Sequence, residues 1–323
     1  MKLSLDQIRA AEKLLCKYFA PTRLVEAGSL ERAGGGRVYL KLESEQPTGS
    51  FKVRGAVYAL SARMERGGVR EVTASSTGNH GAAVAYAAKL LGIPATIFLP
   101  CDPNAVKRAK IAELGAKIVE EGKDSFAAFE AVRDYSRRDG VYWLNDATDE
   151  DLLAGPATIA SEIFEQAPET DAIFVPMGDT ALIRGIASAA RHLRPKTRIV
   201  GVQAERAPSY YLSWKKREVV TTETCDTIAD GLATRIPEDA NVRVIVELVD
   251  EVRLVSEREL LAAVRHLMDK ENVIAEPAGA ATTAALLQGV PEGARNIVCV
   301  VTGANISEEV LKQARGEAGG QSD

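Results

Sequence analysis

The sequence predicts an α/β protein with two mostly parallel sheets, each flanked by helices, and three observations carry that prediction. Short β-branched and aliphatic runs alternate with helical patterns along most of the chain, the signature of parallel βαβ units. Polar loops containing glycine stand between a strand and the helix that follows, as at Ser75–Gly81 and Met177–Ala181. The alternation also falls into two series, one over residues 71–148 and another after Asp149. The first series therefore reads as a small lobe inserted into a larger one built from residues 1–70 and 149–323, with a ligand cleft between them.

Taken in order, Ser4 and Gln7 form a capping box for an amphipathic helix running to about Tyr18. The chain reads as irregular from Pro21 to a strand at Val38–Leu42. A helix from Lys52 to Met64, a strand at Glu71–Ala74 and an alanine-rich helix from Gly81 to Leu91 follow. Further strands are expected at Ala95–Leu99, Ala116–Glu120 and Val141–Trp143, separated by helices at Asn104–Leu114 and Asp124–Arg138. The second series has helices at Leu152–Gln166 and Ala181–His192, and strands at Ala172–Val175 and Arg198–Val202. Pro208–Asp239 reads as less regular, and one or two strands are expected between Val242 and Val255. Ser256 and Glu259 make a second capping box for a helix to Glu271; Gly279–Leu287, Asn296–Val301 and Ser307–Ala314 close the chain as helix, strand and helix, with a frayed tail from Gly316 to Asp323.

Composition excludes several classes. The net charge of −5, with neither a basic stripe nor a basic tail, argues against nucleic-acid and anionic-membrane partners. No apolar run is long enough to span a bilayer and no signal pattern opens the chain. Cys16, Cys101, Cys225 and Cys299 lack ligand-like spacing and His80, His192 and His266 are the only histidines, so the cysteines read as reduced thiols of a cytoplasmic protein.

The chemistry concentrates around Glu43–Ala56. The run from Val38 to Leu42 turns through Pro47-Thr48-Gly49-Ser50 and opens a helix at Phe51, which sets Lys52 at a helix N-terminus. The positive end of a helix dipole disfavours an ammonium, so a shielded lysine there is expected to have a lowered pKa, as a Schiff-base lysine requires. A second stretch, Ala74-Ser75-Ser76-Thr77-Gly78-Asn79-His80-Gly81, takes a strand through a polar loop into a helix whose first amides suit a carboxylate. The third, Phe174-Val175-Pro176-Met177-Gly178-Asp179-Thr180-Ala181-Leu182-Ile183-Arg184-Gly185, has the strand, small-residue loop and helix that present N–H groups to a phosphate. A fourth, Val300-Val301-Thr302-Gly303-Ala304-Asn305, ends a buried strand on a hydroxyl.

Together, and in this order, these motifs resemble the fold-type II pyridoxal-phosphate enzymes (tryptophan synthase β-like fold) in their threonine/serine dehydratase and serine racemase form, over residues 21–307. The resemblance implies pyridoxal 5'-phosphate as cofactor, carried by Lys52 with Phe51 beside it. It implies a substrate loop of Ser76, Thr77, Gly78, Asn79 and His80, in which Asn79 also bonds the phenolic oxygen of the cofactor. The phosphate falls to Gly178, Asp179, Thr180, Ala181 and Leu182, where the family usually has a run of glycines; Asp179 there must turn outward or cap the helix. Gly231, in Thr227-Ile228-Ala229-Asp230-Gly231, and Glu276 fall near the cofactor, and Thr302 at its pyridine nitrogen. A hydroxyl at that nitrogen makes a weaker electron sink than an acid, which favours β-elimination over transamination. His80 reads as a packed or supporting residue rather than a base. Thr77 takes the place where a racemase needs an acid on the face opposite Lys52, so racemisation is the alternative, followed by β-replacement or non-catalytic cofactor binding. Gln203, Ala207 and Ser209 stand where related enzymes have an acidic cation site, so no metal is expected. The expected reaction is dehydration and deamination of a β-hydroxy amino acid by a cytoplasmic homodimer.

Overall fold

The computed structural model describes residues 2–31, 36–101, 103, 105–122 and 125–317. The expected helix starts at Asn104 and Asp124, and residues 318–323 of the expected frayed tail, lie outside the described residues. The larger sheet contains β1 (Leu24–Glu26), β2 (Arg37–Leu42), β7 (Ala172–Pro176), β8 (Arg198–Ala204), β9 (Glu251–Val255) and β10 (Asn296–Val301), in the order β1-β2-β10-β7-β8-β9. Only β1 runs antiparallel to its neighbour. The smaller sheet is wholly parallel, in the order β5 (Lys117–Glu120), β4 (Ala95–Leu99), β3 (Glu71–Ser75), β6 (Val141–Trp143).

Both faces of the larger sheet are covered. Ile173, Val175, Val298 and Val300 join the core formed with α1 (Leu5–Leu15), α2 (Lys52–Glu65), α6 (Ala154–Gln166) and α7 (Ala181–Leu193). Their sequence neighbours Ala172, Phe174, Ile297, Cys299 and Val301 join a second core under α10 (Glu257–Glu271) and α11 (Pro277–Gln288). Burial on both faces is why these strands read as continuous apolar runs rather than alternating ones. Around the smaller sheet stand α3 (Asn79–Leu91), α4 (Ala105–Glu113) and α5 (Ser125–Tyr135); α12 (Glu308–Arg315) follows β10.

Both capping boxes form, at Ser4 and at Ser256. Two expectations fail and a third is met only in part. The three-residue strand β1, too short for a periodic signal, pairs with β2 in the region read as irregular. Ser209–Lys216 is a helix, α8, inside the zone read as less regular. Of the one or two strands expected between Val242 and Val255, one forms as β9; Asp239–Leu248 ahead of it is a helix, α9, with Val242, Ile245 and Leu248 buried at helical spacing.

The start of α2 is fixed by buried charge. Arg54, 1% exposed, donates from Nε and Nη2 to Glu43, both at 2.8 Å, and from Nη1 and Nη2 to Glu162 of α6 at 2.5 and 2.9 Å. Lys41 of β2, fully buried, donates to the same Glu162 at 2.6 Å, to the Thr22 carbonyl at 2.8 Å and to Gln166 at 2.9 Å. The Thr22 hydroxyl completes the shell of Glu43 at 2.6 Å. Beside this network the α2 and α6 backbones touch: a Cβ on Gly155 would lie 2.4 Å from the Arg54 carbonyl carbon. Replacing Arg54 with Met is expected to leave Glu43 buried without its ion-pair partner and to cost about 3 to 5 kcal/mol. Denaturant unfolding of cofactor-free R54M checks this, and the R54M/E43Q double variant should recover part of the loss.

Candidate active site

Five chain segments meet at the carboxyl ends of parallel strands, where ligands bind in open α/β sheets. They are the turn after β2 leading to Lys52, the loops after β3, β6 and β7, and the end of β10. The turn at 47–51 is tied to the end of β10: Phe51 N donates to the Thr302 carbonyl at 3.0 Å and Ala304 N to the Gly49 carbonyl at 2.9 Å. Lys52 is the first residue of α2.

Its ammonium is not weakened as the helix dipole alone would suggest. Nζ donates to Asp146 at 2.7 Å and also to Asp179. Burial works against the charge, yet the two carboxylates outweigh it and hold the Lys52 pKa above the ordinary lysine value. The sequence expectation of a lowered pKa is therefore wrong for the cofactor-free chain. The reason is Asp146, a residue the motifs did not single out, with Asp179 acting in the same direction. Its signal was present all the same: an acidic residue in the loop after a short strand, at the strand's carboxyl end. Burial disfavours the Asp146 carboxylate, but His80 and Lys52 drive its pKa well below the usual range. His80 itself turns inward: it is 6% exposed, Nε2 lies 2.9 Å from the Leu144 carbonyl and Nδ1 3.7 Å from Asp146. Its side chain supports the Asp146 loop instead of facing the cleft as a substrate ligand.

At the start of α7, Ala181 N donates to Asp179 Oδ1 at 2.7 Å. Asp179 thus caps the helix with one oxygen and holds Lys52 with the other. Thr180 adopts the left-handed region at φ 74°, uncommon for a branched residue. Its hydroxyl accepts from Arg184 Nε at 3.0 Å, and Arg184 also donates to the Ala147 carbonyl at 3.1 Å. Asn241 donates to Ala147 O at 3.0 Å and to Asp179 O at 3.4 Å, so the two loops bearing the carboxylates are clamped together. Gly178 must lack a side chain, since a Cβ would lie 2.1 Å from the Gly231 carbonyl. This places Gly231 against the loop, while Leu182 is buried behind it.

The other wall is a chain of amides. Asn79 Nδ2, in the first turn of α3, donates to Glu276 at 2.7 Å, and Asn305 Nδ2 donates to Asn79 Oδ1 at 2.6 Å. Lys110 of α4 donates to Asn305 and to the Thr48 carbonyl, the latter at 2.9 Å. The loop before α3 is folded tightly, with Gly78 N donating to Ser76 Oγ at 3.2 Å and Thr77 half-buried between them. Burial pushes Glu276 up to about 7, against the Asn79 hydrogen bond. Asn305 and Lys110 went unrecognised in the sequence because only folding brings α4 and the segment after β10 together.

Among the described residues no group of three or more His, Cys, Asp and Glu side chains is placed to hold a metal ion. Gln203 instead accepts from Tyr211 N at 2.8 Å, and Ser209 donates to the Thr234 carbonyl at 2.6 Å. No helix among the described residues is long and apolar enough to cross a membrane.

A model of the pyridoxal-phosphate dependent enzyme family matches residues 15–303. The chain belongs to that family. Its cofactor is pyridoxal phosphate, and the donor set fits: a lysine amine at the cleft, a helix start whose amide already holds a carboxylate as a stand-in anion, and a glycine cradle that a Cβ would fill. The chain is similar to the L-threonine ammonia-lyase of Thermotoga maritima, with 34% identity over 309 residues, covering 96% of this chain and 77% of that one. Maize serine racemase superposes with a TM-score of 0.91 at 29% identity, covering 98% of each chain. Threonine deaminase isoform 2 of Solanum lycopersicum superposes with a TM-score of 0.89 at 28% identity, covering 98% of this chain and 90% of that one.

The Glu276 shift has a stability consequence. The folded chain keeps this proton where the unfolded chain gives it up, so the contribution of Glu276 is fully present below the ordinary carboxyl value of 4.5 and is lost as pH rises through about 7. Glu276→Gln keeps an acceptor for Asn79 and removes the titration. Thermal melts of the two cofactor-free proteins should show E276Q gaining on the wild type between about pH 5 and about pH 8, by a few kcal/mol at most.

Proposed function

We propose that this chain removes water and then ammonia from a β-hydroxy L-amino acid such as threonine or serine, giving a 2-oxo acid and ammonium. The observation that carries the reading is Lys52 at the head of α2, its amine held between Asp146 of the loop after β6 and Asp179 of the loop at 178–181. The relatives named L-threonine ammonia-lyase support the same reaction.

When bound, the cofactor supplies an electron sink for the bond electrons released at Cα. Before substrate binds Lys52 would hold it, with Gly178, Asp179, Thr180, Ala181 and Leu182 toward its phosphate and Phe51, Asn79, Gly231, Glu276 and Thr302 about its ring; with substrate bound the Lys52 amine would be free to act as a base. In this reading the amides at the start of α3, with Ser76, Thr77 and Gly78, hold the substrate carboxylate and aim Cα–H at Lys52. The Lys52 amine takes that proton, and Asp146 stabilises the resulting ammonium at hydrogen-bond distance. The β-hydroxyl leaves as water with the proton that Lys52 took from Cα, which returns Lys52 to the neutral amine. Hydrolysis of the remaining enamine-type product consumes one water and releases ammonium, so the net change is amino acid to 2-oxo acid plus ammonium.

By the same reading residues 71–148 form the substrate lobe, and residues 1–70 with 149–323 the cofactor lobe. The protein acts as a cytoplasmic homodimer; its four unpaired cysteines suit a reducing compartment, and light scattering tests the dimer.

Purified protein given L-threonine or L-serine should accumulate 2-oxo acid and ammonium in equal amounts. Lys52→Ala should lose this activity by at least about a thousandfold, a range expected when a covalent-catalysis residue is removed, together with the visible absorbance of the bound cofactor. A wild-type protein that makes D-amino acid and no 2-oxo acid would replace this reading with racemisation.

A further inference from the structure

Asp179 stands where a phosphate-binding loop should offer bare amides, and it takes part in two bonds at once. One oxygen accepts from Ala181 N at the start of α7, and the other accepts from the Lys52 ammonium. An anion bound across this helix start needs the amide that Asp179 holds, and two negative groups on one helix end repel each other. The loop is nevertheless built with care: Thr180 is kept in the left-handed region by the Arg184 guanidinium, which is buried and forms no ion pair among the described residues. Burial lowers the pKa of Arg184, and among the neighbouring charges that oppose this Asp179 is the strongest. A cation is therefore at hand for the carboxylate once it leaves Lys52.

We propose that Asp179 is an exchangeable internal anion: in the cofactor-free chain it occupies both the helix start and Lys52, and a phosphate seated on residues 178–181 displaces it, freeing Lys52 from one of its two counter-ions. Seating of the phosphate is thereby coupled to the release of the reacting amine. Asp146 remains on Lys52 after the exchange, because it belongs to the loop after β6 and touches none of the 178–181 amides. The inference rests on the family assignment of the phosphate loop, and it is independent of which amino acid is the substrate.

The test uses cofactor-free full-length protein and inorganic phosphate as the probe, with affinity measured by calorimetry for the wild type, D179N, D179G and D146N. Neutral asparagine keeps the helix cap, so D179N should fold, and it should bind phosphate about tenfold more tightly, the equilibrium equivalent of one modest ion pair. D179G should match it, and D146N should bind phosphate as the wild type does. Amine-labelling of Lys52, read by peptide mass spectrometry across pH, supplies the second readout. The groups facing Lys52 are Asp146 and Asp179, with His80 and Arg184 behind them, so D179N and D146N should each shift the labelling midpoint to lower pH. Unchanged or weaker phosphate binding in both Asp179 variants overturns the exchange. Equal tightening in D146N overturns it as well, since that would be general electrostatics. Failure of the dehydratase reading would appear separately, as missing 2-oxo acid with these phosphate affinities intact.

Discussion

The cleft depends on the buried ion network at Arg54. Two residues after Lys52, this guanidinium joins Glu43 at the end of β2 to Glu162 in the middle of α6, and Lys41 closes the set. With two cations and two anions at a site almost shut off from water, no member can be removed without stranding another. The network fixes how far α2 has turned when it begins, and the turn decides that Lys52 points between the sheets. The contact of Gly155 with the α2 backbone acts in the same sense, because it leaves no room for the helix to slide.

At Lys52 the helix dipole does not act alone. Burial and the dipole push the ammonium toward neutrality, while Asp146 and Asp179 push it the other way and win. An amine so tightly held is poorly suited to attack a carbonyl carbon. Under the proposed exchange, a phosphate seated on residues 178–181 would free that amine from Asp179.

Much of the architecture could be read from residues in sequence. The two sheets, their parallel order and the strand-to-helix loops at 76–79 and 178–181 follow from periodicity and from glycine placement, which are local properties. What stayed hidden was non-local. Asp146 reaches Lys52 across the two sheets, Lys110 reaches Thr48 and Asn305 from α4, and Arg184 and Asn241 meet on the Ala147 carbonyl. None of these pairings leaves a spacing in the chain. The possible second strand before β9 gave way to α9 for a related reason: the β-branched Val242, Val244 and Val246 suit a strand, but burial against the core at helical spacing makes this segment a helix.

The amide chain Glu276–Asn79–Asn305–Lys110 crosses from one sheet to the other and back. It is a seam, and one of its stitches, Asn79, opens α3 directly after the loop at 76–78. A motion that drew the two sheets apart would have to break these bonds, and the Asn79 amide, held from both sides, would then lose the orientation they impose.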